Sequence, residues 1–238
     1  MTAVLIGCGE QAPAVALQAD PPVQGDAGEE YMSLHAAMGQ PFFNRVAMVE
    51  GAPSAELVQE LEANADLIDR LAYATRMDAC DWGVPDDFDM QTMLPHLGKV
   101  RALARTLNVD ARRLAASGDA DRASRRVAGL VRLAHHAAES GADTIIEWLV
   151  GIAVLNLATD AAVYCAPDFD ADQRRRVLAE LQQIDTDDPY DLKSKLAIDR
   201  ERSQDVGVAP ADEDGVQKAA AKTKGEIERA VAALQDPS

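Results

Sequence analysis

Residues 144 to 166 constrain the fold more than any other part of this chain, because they are apolar nearly all the way round a helix. Ile145, Ile146, Trp148, Leu149, Val150, Ile152, Val154, Leu155 and Leu157 leave no continuous polar face, Asp143 is the expected cap, and Pro167 lies beyond the end. A membrane span needs about 20 predominantly apolar residues. This segment carries Glu147, Asn156 and Asp160 within it, and intramembrane acids are costly. A helix that is apolar all round must be covered on every side. The segment therefore predicts a central core helix wrapped by amphipathic ones.

The neighbouring periodicities supply the wrapping. Leu97, Val100, Ala104, Leu107, Ala111 and Leu114 recur at spacings of three and four, with Pro95 in the first turn and Gly118 placed to stop the helix. Asp119 or Asp121 then caps a run with Ala123, Val127, Leu130, Ala134 and Ala137 on one face, ending near Gly141. The pair reads as an antiparallel hairpin. Upstream, Ser54 opens a stripe of Leu57, Leu61, Ala65, Ile68 and Leu71, read as one helix over 54–78, and Tyr31 to Val49 reads as a helix interrupted at Gly39-Gln40-Pro41. Downstream, Asp170 and Gln173 form a capping box for a helix carrying Val177, Leu178, Leu181 and Ile184. Asp188-Pro189 starts another helix, with Leu192, Leu196 and Ile198. A last helix over about 213–235 follows a polar stretch and reads as detached. The expected class is all-α, with residues 1–30 a disordered tether, 31–206 the helical domain and 207–238 a polar tail. Aromatics at 4% and the lack of alternating β-branched runs agree with helices.

The hairpin resembles a tetratricopeptide repeat: Ala111, Gly118, Ala123 and Leu130 fall near the small-residue and turn positions of that pattern. The resemblance covers one repeat, with Leu107, Leu114 and Val127 at the aromatic positions and His135 at the proline position. It implies a right-handed array of hairpins around the central helix. A second resemblance lies in Cys80-Asp81-Trp82-Gly83 followed by Leu94-Pro95-His96-Leu97. It is similar to a group of bacterial helical proteins in which a CDWG loop precedes an LPHL helix start, and it implies fold without chemistry. Read from the residues alone, Trp82 is a plug between hairpins, fixed by Gly83 and Pro85.

At the N-terminus, Leu5-Ile6-Gly7-Cys8 after Ala3-Val4 resembles the lipobox of bacterial lipoproteins. That resemblance implies a lipidated Cys8, an anchor in the cell envelope and signal residues upstream of Met1, since only seven residues precede Cys8 and none is basic. Residues 9–30 hold Pro13, Pro21 and Pro22 with acids and no Lys or Arg, the composition of a tether. A cytoplasmic chain is the alternative. Cys80 and Cys165 then remain as either a disulfide or two buried thiols.

Net charge is −17 and unevenly spread: residues 1–90 hold 3 Lys/Arg against 16 Asp/Glu, residues 91–138 hold 9 against 3, and residues 139–238 hold 11 against 21. A chain this acidic repels nucleic acid at long range, and no aromatic set accompanies the arginines. Arg101, Arg105, Arg112, Arg113, Arg122, Arg125, Arg126 and Arg132 are expected to neutralise acidic neighbours, with an anionic partner on that face as the alternative.

Chemistry finds little purchase. His35, His96, His135 and His136 never stand at ligand spacing, and adjacent His135 and His136 point about 100° apart on a helix, so neither a metal nor a cofactor is expected. Nucleophile elbows, phosphate loops and dinucleotide fingerprints are absent from the sequence. Two readings follow. One is a non-enzymatic interaction domain binding a protein or peptide, with Arg105, Arg112, Arg125, Arg132 and His135 as contact candidates. The other is a ligand binder or enzyme with a pocket near Cys80, Trp82 and His96. An enclosed polar pocket holding His96 with His135 or His136 would favour the second, and a filled core with an open groove the first.

Overall fold

The computed structural model describes residues 19–49, 51–83, 95–139, 144–206 and 209–236. Among them it places ten α-helices and two short strands, so the all-α expectation holds. Cys8, Pro85, Leu94, Gly141 and Asp143 lie outside the described residues.

The α5 (Pro95–Ala116) and α6 (Ala120–Ala138) hairpin forms as the stripes predict, with every residue of both stripes buried. Its turn closes through Asp119, whose carboxylate accepts the Arg122 amide at 3.3 Å. The apolar segment is α7 (Ile145–Cys165), which packs against α5, α6 and α10 (Glu213–Gln235). It is long and apolar enough to cross a membrane, yet most of it is buried among these helices. Its cap is Thr144 rather than Asp143: the Thr144 hydroxyl accepts the Glu147 amide at 3.1 Å and Glu147 returns the bond to the Thr144 amide. Gly151 lets α6 and α7 touch, for a Cβ there would sit 2.6 Å from the Ala138 Cβ. The helix α8 (Ala171–Leu181) opens with the expected Asp170/Gln173 box.

Several expectations are corrected. The 54–78 stripe is two helices, α3 (Ala55–Ala63) and α4 (Ala65–Ala74), because Asn64 breaks the run with its side-chain amide on the Glu60 carbonyl at 2.8 Å. The tether does not extend to residue 30: β1 (Val23–Asp26) pairs in parallel with β2 (Met77–Ala79), and α1 (Ala27–Met38) follows directly. Asp26 locks this closure, its Oδ1 accepting from the amides of Gly28 and Asp81, each at 2.9 Å. Gly28 is pressed so closely on the Asp81 carbonyl that a Cβ would lie 1.8 Å from its oxygen. The interruption at Gly39 is as expected, with α2 (Gln40–Ala47) resuming beyond it. The C-terminal α10 is not detached, since Val216, Ile227 and Leu234 are buried and the Thr223 hydroxyl lies 3.2 Å from Asn156 Oδ1 on α7. A single 3-10 turn at Pro189–Asp191 leads into α9 (Leu192–Val206). Both Cys80 and Cys165 are free thiols.

Candidate functional site

The sequence-named residues divide into three sets. Trp82 and His96 belong to a buried aromatic stack. The Trp82 ring lies 5.3 Å from Tyr31 and 5.4 Å from His96, centroid to centroid, and its indole donates to the His136 carbonyl at 3.0 Å. This is the plug that the residue itself implied. Beneath it His96 Nε2 stands 3.6 Å from Glu147 Oε1, both side chains buried.

The arginines form the second set. Arg126 is buried with Asp110, Nε to Oδ2 at 2.9 Å, and also holds Asp69. Arg122 reaches Asp69, Arg113 reaches Asp110, and the exposed Arg125 pairs with Asp121 along its own helix. Arg112 bonds Asn108 and covers the Tyr164 ring at 5.0 Å, while Arg105 faces outward from α5. Most of the basic segment is thus spent on acidic neighbours, as the charge pattern implied.

The third set lines a groove of about 960 Å³. One wall is the C-terminal part of α6, which brings Val131, Arg132, His135, His136 and, just past its end, Glu139. The end of α8 and the turn after it bring Glu180, Ile184 and Asp188. The strand β2 adds Met77 and Asp78, Cys80 follows just past it, and residues 19–22 complete the lining. Arg132 and His135 are the sequence candidates that fall here. Trp82, His96, Arg105, Arg112 and Arg125 do not line it.

Charge in the groove is lopsided. Asp20, Asp78, Glu139, Glu180, Asp185, Asp188 and Asp191 face only two arginines, Arg76 and Arg132. Arg132 is held by Glu180 and by Asp20, and Arg76 donates to the Pro21 carbonyl at 3.0 Å. Burial, then neighbouring His135, pushes the imidazole of His136 down to about 4, so it is neutral at pH 7. Its Nδ1 meets the Tyr31 hydroxyl at 2.8 Å, and burial holds that hydroxyl well above its usual range. Burial likewise raises the Cys80 thiol and pushes Cys165 up to about 12, which leaves neither a ready nucleophile.

The residue that sequence reasoning missed is Tyr190. It and Asp191 adopt φ values of 54° and 53°, a left-handed backbone that costs non-glycine residues on the order of 1 to 3 kcal/mol each. The turn is imposed from the core, where the Trp148 indole donates to the Pro189 carbonyl at 2.8 Å. Tyr190 is 8% exposed, its ring 5.9 Å from His135, and its hydroxyl has no hydrogen-bond partner among the described residues. Buried hydroxyls are ordinarily satisfied. The only hint in the sequence is Asp188-Pro189, a turn signal with no chemistry attached.

Among the described residues, no three of His, Cys, Asp and Glu converge closely enough to hold a metal ion. The folded class is an all-α protein built on a central apolar helix, with a groove where helices end. Comparison with protein-family models, with curated proteins and with solved structures finds no match to this chain.

Proposed function

We propose that this protein is a non-enzymatic binding domain whose groove between the ends of α6 and α8 takes a segment of a partner polypeptide. The observation that carries this reading is the contrast inside one molecule: a filled core of interlocked helices beside a groove of about 960 Å³ lined by Tyr190, a residue on a strained turn whose buried hydroxyl has no partner among the described residues. Sites of this size lie at the upper end of the range for ligand pockets, about 300 to 1,000 Å³. A protein that left a hydroxyl unpaired and a backbone strained without use would be less stable for no return.

The same proposal places the domain at the cell envelope through a lipid on Cys8, supported by the Leu5-Ile6-Gly7-Cys8 box and the acidic, proline-bearing residues after it. Lipid labelling of wild type and Cys8→Ser tests the anchor: label lost in the variant supports it, and equal label in both overturns it.

The groove is tested by selecting displayed random peptides on the purified protein and re-testing them on Gln183→Trp, which puts a bulky side chain into the groove. Binding should be lost in the variant. Peptides that bind both proteins equally, or no enrichment at all, would contradict the reading.

A further inference from the structure

We infer that the segment taken by the groove is cationic, presenting lysine or arginine side chains to its walls; this rests on reading the groove as a peptide site. The first ground is the direction of three helices. α4 ends at Ala74, α6 at Ala138 and α8 at Leu181, and the residues just past those ends, Thr75, Glu139 and Gln183, all line the groove. A helix C-terminus carries roughly half a negative charge on carbonyls that lack intrahelical partners. At these ends most of the last carbonyls already accept from Thr75, Arg76, Trp82 and Gln183, so the three ends add a diffuse negative potential to the cavity and not free acceptors.

Side chains add to the same sign. Of the two arginines facing the seven carboxylates, Arg132 is already neutralised by Glu180 and Asp20. Asp20 and Asp188 are also met by Arg176 at 3.9 Å and Lys193 at 3.5 Å, which do not line the groove, yet the lining itself keeps more carboxylates than cations and disfavours an anionic partner. Tyr190 is the independent observation: the residue is more than nine-tenths buried and lines the groove, and its hydroxyl is unpartnered among the described residues. A phenolic oxygen accepts hydrogen bonds from an ammonium or guanidinium. Burial and the nearby Glu139 carboxylate keep it protonated, so it offers lone pairs without adding charge.

The spread of the carboxylates selects an extended occupant. They come from residues 19–22, β2, the end of α6, α8 and the turn after it, and the same lining holds the apolar side chains of Met77, Val131 and Ile184. No three donors gather to chelate a metal ion among the described residues. A peptide with basic side chains separated by apolar ones matches this pattern; a single amine would engage only one or two of the acids.

The test is fluorescence anisotropy of the full chain with a fluorescein-labelled oligolysine peptide, against oligoglutamate, a neutral Ser/Leu peptide and spermine. Oligolysine should bind saturably and weaken as salt rises. The double variant Glu139→Gln, Asp191→Asn should weaken it by about tenfold, the size expected for close charge pairs at an interface. Tyr190→Phe should weaken it several-fold while the thermal midpoint stays put. A charge-matched pair on α10, Asp214→Asn with Glu228→Gln, neither of which lines the groove, should change it by no more than about twofold in screening salt. Equal loss in the α10 variant would reduce the effect to diffuse attraction and overturn the inference, as would binding of oligoglutamate or spermine binding tighter than the peptide. If the neutral peptide binds wild type and loses to Gln183→Trp while oligolysine binds neither, the groove stands and its charge preference falls. If no peptide distinguishes wild type from Gln183→Trp, both fall.

Discussion

The two halves of α6 treat charge in opposite ways. In the first half, Arg122, Arg125 and Arg126 each find a carboxylate, and the Arg126–Asp110 pair is closed inside the packing of α5 and α6. In the second half, Arg132 is bonded but outnumbered, and His135, His136 and Glu139 face a groove whose lining holds seven acids and two arginines, with His136 neutral at pH 7. The first half spends its charges on holding helices together. The second faces a surplus of acids, beside a turn at Tyr190 and Asp191 whose left-handed backbone and unpartnered hydroxyl, among the described residues, do nothing to hold helices together.

The largest way to break that contrast is at the closed end. Arg126→Ala leaves the buried Asp110 with Arg113 as its one remaining cation, so the loss falls at the lower end of the range for breaking a buried pair, about 3 to 5 kcal/mol, and denaturant unfolding should register about 3 kcal/mol. An unchanged midpoint would mean that the pair is solvated and not structural.

Acidification probes the open half. An unfolded histidine titrates near pH 6.5, whereas His136 in the fold is pushed down to about 4. The unfolded chain therefore takes up its proton first. Stability present above about pH 6.5 is lost as pH falls toward about 4, by at most about 3 kcal/mol. Thermal midpoints followed across this window should fall more steeply in wild type than in His136→Gln, and parallel curves would contradict the assignment.

Gly151→Ala tests the seam that joins the halves to the core. Its new methyl meets Ala138, and overpacking of this kind costs about 1 to 3 kcal/mol. The smallest effect has the opposite sign: Asp191→Gly relieves a left-handed residue and should stabilise by about 1 kcal/mol while weakening the ligand. Destabilisation by Asp191→Gly would show that the turn is not strained.

How much of this was legible depended on whether the signal was local. The α5/α6 stripes, the Asp170/Gln173 box and the apolar run of α7 are written within a few turns of chain, and the structure follows them. What was missed is nonlocal. Val23-Gln24-Gly25-Asp26 has no alternating pattern and becomes a strand only because Asp26 bonds the Asp81 amide, far along the chain. Asn64 splits a stripe whose period continues across it, so hydrophobic spacing alone could not show the break. α10 read as detached because its apolar positions are few, and its docking depends on Asn156 and Asp160 of α7 as much as on burial. Of the groove, Arg132 and His135 were visible as residues, but the site arises where the ends of three helices meet, and Tyr190 enters it through a turn shaped by Trp148.

The central claim is that the ligand sits where helices α4, α6 and α8 end. Hydrogen–deuterium exchange of the full chain with and without saturating oligolysine peptide tests it most directly. The account predicts slowed exchange confined to residues 75–80, 132–139 and 182–191, with α5 and the first half of α6 unchanged. Protection centred on α5 or α10, or none at saturation, would contradict it.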